Sequence, residues 1–394
     1  MTNRRDFLKL GAIASLSGLS LAKAQTSPSS DPPPGTVQPL APGQRTAQPL
    51  PQLALDSSNP YLSKLEFASN GFIEVAHALL LVPKTEDALA QDLRLAQQAV
   101  AWAFKRRPNL SETDVSVYQR ESYAGFGGPM PRLTASVLRD SRQEFAALTK
   151  DTLPKFARAW VNPTSLKSPK RAPLDVRELD PNPADDISDE EASKGGVLFR
   201  GSAKLDFAAL SFDDSPHPLY EPLLLDVLRR LKVKATFFCI GRNAKAHPYF
   251  VRDMIQAGHE IGNHTYHHVR LPGLDLADVK DELEEANITL TEITGKPVRF
   301  FRPPGGDYTR QTLQIASDLG LTTAFWTDDP GDFDNLGQRT LENRLQRRLS
   351  TGGIVLLHDN VLQSIMVMPR FFANAKSRGI RLDTVAALSD ASQK

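Results

Sequence analysis

Two histidines four residues apart, in the run His264-Thr265-Tyr266-His267-His268, have the spacing to share one ion. A helical turn brings positions i and i+4 to one side, so a helical segment would aim both imidazoles together and send His267, a competing ligand by type, elsewhere. A carboxylate from Asp213-Asp214 completes a set of two nitrogens and one oxygen. Such a set leaves positions for water and substrate, as a catalytic metal site requires. Adjacent aspartates also permit divided labour, one binding the ion while the other takes a proton from water whose pKa a divalent cation brings from about 15.7 to near 7. An amine leaves poorly until it is protonated, and His358, from the far end of the strand order, is the candidate acid. The chemistry these residues could do together is hydrolysis of an amide or ester at a metal centre.

These side chains need a scaffold, and from Val197 onward short apolar runs alternate with helical patterns. Candidate strands lie at 208–212, 235–240, 260–263, 298–302, 322–326, 354–357 and 380–384. Helix faces are read from Leu219, Leu223, Val227 and Leu231, and from Val279, Leu283, Ala286, Leu290 and Ile293. Buried strands alternating with helices imply parallel strands with right-handed crossovers, here a distorted (β/α) barrel of about seven units. Catalytic groups in such folds gather at the carboxyl ends of strands. Asp213 and Asp214 follow the first candidate strand, His264 and His268 the third, Arg302 ends the fourth, Asp329 and Asp332 follow the fifth, and His358 and Asp359 the sixth.

The rest of the chain divides by composition. Residues 1–24 carry a paired-arginine start, a short apolar core and Ala22-Lys23-Ala24, which resembles a cleavable twin-arginine export signal. That address predicts the periplasm, cell envelope or exterior, with no stable membrane span after cleavage. Residues 25–56 form a Pro-rich linker, 57–162 a small α+β domain of unassigned role, 163–196 a second linker, and 197–390 the catalytic domain. In 57–162, helix is expected from Leu89 to Phe104 and from 138 to 160, and strand at 114–119 and 132–137. Tyr118, Tyr123, Phe126 and Trp160 are there either as core or as a sugar-binding surface. The lone Cys239 sits in an apolar run and reads as a buried hydrophobe, and no disulfide framework is available within the chain. A net charge of +1 with no basic block argues against a nucleic-acid partner.

Over about residues 205–385 the sequence resembles the NodB-type polysaccharide deacetylases, carbohydrate esterase family 4. The motif blocks are Ser211-Phe212-Asp213-Asp214-Ser215-Pro216, His264 to His268, Arg302-Pro303-Pro304-Gly305-Gly306, Asp329-Pro330-Gly331-Asp332-Phe333, and Ile354-Val355-Leu356-Leu357-His358-Asp359. The family usually carries Thr, Gly and Trp where Ser211, Ser215 and Phe333 stand. If position 215 needs a positive φ, serine is less comfortable there than glycine. The resemblance implies Asp213 as base, Asp214, His264 and His268 as metal ligands, Arg302 orienting Asp213, and Asp332 tuning the acid His358. It also implies substrate contacts from Pro304, Gly305, Leu356 and Phe333, with Leu356 lining an acetyl pocket. The implied cofactor is one divalent ion, zinc or else cobalt or another. The implied substrate is an N-acetylated polysaccharide or oligosaccharide. Rival readings are an acetyl-ester hydrolase of the acetylxylan type and an inactive sugar-binding envelope protein.

Overall fold

The computed structural model describes residues 48–49, 59–125, 128–163, 196–334 and 336–393. The expected export signal, almost all of both linkers, and Phe126 lie outside the described residues.

The first sheet has the order β1 (Gln48–Pro49), β2 (Leu62–Ser69), β3 (Glu74–Val82), β4 (Leu110–Gln119), β5 (Leu133–Leu138) and β6 (Ala159–Val161). Neighbours run antiparallel except β3 and β4, which are parallel and joined by the crossover helix α1 (Ala88–Arg106). One face buries Ala76, Ala78, Leu80, Val115, Val117 and Ala135 against Leu93, Ala96, Val100 and Phe104 of α1. The long helix expected over 138–160 is not formed: only α2 (Arg142–Ala146) is α-helical there, and the segment ends in β6. The Thr152 hydroxyl takes the Thr149 N–H at 2.8 Å in a turn, and Pro154 follows, so the chain has a local alternative to the helical ladder.

The second sheet is parallel, in the order β13 (Ile354–His358), β8 (Phe207–Ser215), β9 (Thr236–Cys239), β10 (Glu260–Asn263), β11 (Phe300–Phe301), β12 (Thr322–Ala324) and β7 (Val197–Leu198), with β14 (Arg381–Asp383) also on β8. All seven expected strands are present, and β7 is added at the edge. A parallel bridge between Asp328 and Val355 ties the chain beyond β12 to β13, which draws the sheet round into a distorted (β/α) barrel. The intervening helices are α3 (Glu221–Leu231), α4 (Gly241–Ala246), α5 (Pro248–Gln256), α6 (Leu276–Thr294), α7 (Arg310–Asp318), α8 (Gln338–Arg348) and α9 (Leu362–Ser377), with α10 (Val385–Ser392) last. Period-two alternation sorts the strand side chains. Leu210, Phe212, Phe237, Val355 and Leu357 pack outward under the helices, while Phe207, Ala209, Phe238, Phe300 and Ile354 fill the interior. Ser211 and Asp213 continue the interior row of β8, as do Leu356 and His358 on β13. Cys239 is fully buried, and burial together with Glu221 and Asp359 raises its thiol pKa, so it behaves as a core hydrophobe.

The other face of the first sheet meets the barrel through polar groups. Tyr249 of α5 donates its hydroxyl to Asp114 at 2.5 Å, and Arg158 spans Glu112 and Asp253, each at 2.8 Å. Asn70 donates to the Leu223 carbonyl at 3.0 Å and to Asp226 at 2.9 Å. Among the described residues no helix is long and apolar enough to cross a membrane.

Candidate active site

Two consecutive residues of a regular strand point to opposite faces, so Asp213 and Asp214 cannot both reach one site without a departure from the pleat. The departure is a register shift between Phe212 and Ser215, with Asp214 at φ 71°. Bulges re-aim side chains in this way next to active sites. Positive φ therefore falls on the aspartate, a residue that tolerates it, and not on Ser215, where serine costs nothing on this account.

His264 and His268 follow β10 in an irregular loop and not in a helical turn, which corrects the expected local structure. Thr265 and His268 both hold positive φ, 62° and 59°. For a β-branched threonine this is a strained conformation, sustained only where surroundings enforce it. The enforcing contacts are present. Asn263 Oδ1 accepts the Thr265 N–H at 2.8 Å, and the Thr265 hydroxyl accepts the His268 N–H at 3.0 Å. Glu282, buried on α6, accepts the N–H groups of Tyr266 at 3.1 Å and His267 at 2.8 Å and binds His267 Nδ1 at 2.6 Å. His267 is thereby turned away from the cluster. The loop brings one donor atom from each of Asp214, His264 and His268 to within 4.8 Å of one another. His264 Nδ1 donates to the Arg302 carbonyl at 2.7 Å, which fixes the tautomer and leaves Nε2 on the side of the carboxylates. Burial disfavours the Asp214 charge, but His264 and His268 outweigh it and hold the carboxyl well below its ordinary range. Asn360 steadies the other Asp214 oxygen at 3.0 Å. Two nitrogens and a carboxylate in this proximity fit a divalent cation.

Arg302 is fully buried beside this cluster. Its guanidinium donates to Asp213 Oδ1 at 2.7 Å, to the Ser211 hydroxyl at 2.8 Å, and to the carbonyls of Ala324 and Phe325 at 3.0 and 3.1 Å. Phe238 lies under its plane at 4.0 Å. Burial lowers its pKa and Asp213 opposes this, and a guanidinium stays charged under such conditions. Asp213 is therefore held in one orientation. The Arg302 orientation read from the resemblance thus has a matching contact.

His358 pairs in register with Asp213 across adjacent strands, so the two expected ends of the strand order are neighbours once the barrel curves round. Its Nδ1 donates to Asp332 Oδ1 at 2.8 Å, its backbone N–H to Oδ2 at 2.8 Å, and Ser364 adds a hydroxyl at 2.6 Å. Burial works against the imidazolium, but Asp332, followed by Asp213 and Asp214, prevails and raises its pKa. Phe333, 54% exposed, lies with its ring 4.0 Å from that of His358 at the mouth. Leu356 and Pro304 are buried. Gly305 and Gly306 hold positive φ of 65° and 73°, and a Cβ on Gly306 would come within 2.6 Å of Trp326. Asp329 stays outside the cluster, exposed, where it accepts the Gly331 N–H at 2.9 Å and shapes the turn that presents Asp332.

Residue-type reasoning overlooked Glu282, Ser364 and Asn360. Only Glu282 carried a signal, as a carboxylate beside Leu283 and Ala286 in an otherwise apolar helix face.

Residues 200–324 match the polysaccharide deacetylase family. A peptidoglycan-N-acetylglucosamine deacetylase of Bacillus cereus is 34% identical over 185 residues, 46% of this chain and 86% of that one. A chitooligosaccharide deacetylase of Sinorhizobium fredii is 36% identical over 181 residues, 46% of this chain and 81% of that one. Among solved structures, the Bc1960 peptidoglycan N-acetylglucosamine deacetylase superposes with a TM-score of 0.50 at 27% identity, covering 51% of this chain and 96% of that one.

Proposed function

Because the chain belongs to the polysaccharide deacetylase family of amide-hydrolysing enzymes, we propose that it removes acetate from N-acetylglucosamine-type units of a cell-envelope or extracellular glycan, using one divalent ion, zinc before cobalt. The observation that carries this reading is the meeting of a two-histidine, one-carboxylate cluster with two different proton-transfer groups, Asp213 and His358, on adjacent strand ends. Asp214, His264 and His268 would hold the ion. When bound, it supplies activation of water and polarisation of the acetyl carbonyl. Asp213, paired with and aimed by Arg302, takes the proton from the attacking water. His358, charged and oriented by Asp332, gives a proton to the leaving amine. Leu356 and Pro304 exclude water around the acetyl methyl, while Phe333 and Gly305 border the sugar.

The paired arginines and short apolar core of residues 1–24 support export by a twin-arginine-type route to the periplasm or envelope, which suits an insoluble glycan. The test is acetate release from N-acetylglucosamine oligomers by the mature chain, with chelator and with zinc or cobalt returned. Loss and recovery of activity are expected. Release from acetylated xylan in place of these oligomers would instead establish an esterase. Binding of oligomers without release under any metal would establish a sugar-binding protein.

A further inference from the structure

The reaction just described leaves the first sheet without a task. Its barrel-facing side carries Glu112, Asp114, Ser116 and Tyr118 in alternation along β4. The first three are engaged, Asp114 with Tyr249 across the interface, Glu112 with Arg158, and Ser116 with His77 of β3 at 3.2 Å. Tyr118 reaches further along the strand. Its ring meets that of Tyr123 edge-on, with centroids 5.0 Å apart, and Tyr123 is 36% exposed. Arg242, at the start of α4, donates to the Gly128 carbonyl of the loop beyond Tyr123. The same Arg242 gives its backbone N–H to the Tyr266 carbonyl at 3.0 Å, and Gly241 gives its own to Thr265 at 2.9 Å. The aromatic pair is thus one residue removed from the loop that carries His264 and His268.

A second rim loop is bordered in the same way. His217 lies three residues beyond Asp214, donates its N–H to Asp359 at 2.7 Å, and stacks on Tyr220 at 4.7 Å. Leu219 and Tyr220, in the same segment, pack in one cluster with Ala68 of β2 and Val75 of β3. One sheet therefore flanks two of the loops that surround the reacting groups.

We propose that the N-terminal domain forms a wall of the substrate groove, and that Tyr123, backed by Tyr118 and Arg242, binds a sugar unit of the polymer other than the one that loses its acetyl group. The inference rests on the glycan-deacetylase reading. An exposed tyrosine face offers an apolar platform to the C–H face of a pyranose, and the adjoining phenol and guanidinium offer donors to its hydroxyl and amide oxygens. The occupant is an uncharged, hydroxyl-rich chain continuous with the substrate at the metal cluster.

The experiment uses the mature chain with zinc and β-linked N-acetylglucosamine oligomers from dimer to hexamer. In the wild type kcat/KM rises with length. Tyr123→Ala flattens that rise, losing about tenfold on the hexamer and far less on the dimer, and Tyr123→Phe restores it. Equal loss at every length, or an unchanged length dependence, overturns the proposal. Calorimetric titration of the metal-free protein with hexamer reads the wall independently of turnover, with about tenfold weaker binding expected for Tyr123→Ala. If no oligomer is deacetylated but this difference appears, the reaction assignment fails and the wall stands. If the wild type and Tyr123→Ala bind the hexamer alike, or neither binds, the wall fails.

Discussion

Glu282→Ala should weaken metal binding without touching a ligand. The Glu282 carboxylate accepts two loop N–H groups, at 3.1 and 2.8 Å, and pairs with His267 at 2.6 Å. Hydrogen bonds to a charged group contribute about 1.5–3 kcal/mol each. The His267 side chain is 37% exposed, so water replaces much of what that residue loses, whereas Tyr266 is buried and its N–H has no such recourse. The net penalty on the native loop is then about 2 kcal/mol, roughly that of one buried bond. The same bonds help to sustain the strained positive φ of Thr265 and His268, so their loss lets the loop relax. A penalty of about 2 kcal/mol on the binding-competent loop raises the apparent Kd for zinc by up to about 30-fold. The assay is competition for zinc against a chromophoric chelator, beside a thermal melt of the metal-free protein. Glu282→Gln, which keeps an acceptor, should fall between the variant and the wild type. A folded Glu282→Ala protein with unchanged zinc affinity would refute the claim that this carboxylate holds the ligand loop in shape.

Asp213→Asn should keep its zinc, since Asp213 is outside the ligand set, yet lose about 10²–10⁴-fold in kcat, the usual worth of a general base, as checked by metal analysis with acetate release. His358 acts protonated, so activity falls as pH rises through its pKa, and Asp332 raises that pKa. In Asp332→Asn burial acts without this opposition, and the alkaline limb of the kcat–pH profile should move to lower pH. Gly306→Ala should lower the melting temperature and raise KM. Its φ of 73° disfavours a Cβ by about 1–2 kcal/mol, and that Cβ would press on Trp326 at 2.6 Å. Wild-type values in a folded Gly306→Ala protein would show that the segment adapts.

The barrel was legible because it rests on a rule that each strand obeys separately. Ala208, Leu210 and Phe212 on one face and Phe207 and Ala209 on the other make a strand buried on both sides, a continuous apolar run that the sequence displays openly. The first sheet was less legible. The residues of β2 and β3 carry no clear strand signal, and the stretch 138–160 reads as helix because Leu138, Phe145 and Leu148 have helical spacing, while the turn at Thr149–Thr152 depends on side-chain hydrogen bonds. The polar face of β4 was likewise opaque. Glu112, Asp114 and Ser116 look like solvent-facing alternation until a second domain covers them.

The site shows a different limit. Residue types and strand ends were enough to collect Asp213, Asp214, His264, His268, Arg302, Asp332 and His358, but not the backbone that makes them converge. Adjacent aspartates are incompatible with a regular strand serving one site, and histidines four apart suggested a helix that is absent. Both contradictions are resolved by positive φ at non-glycine residues, Asp214 in the bulge and Thr265 and His268 in the loop. Asp and His tolerate these conformations better than most residues, but residue type does not say where they are adopted, and a β-branched threonine gives no hint of one. They persist because Asn263, Glu282 and the Thr265 hydroxyl hold the ligand loop, and because Asn360 and the two histidines hold Asp214. The strained backbone and its supporting bonds are therefore one construction, and the supports, more than the ligands, are where sequence reading stops and where substitution should be most informative.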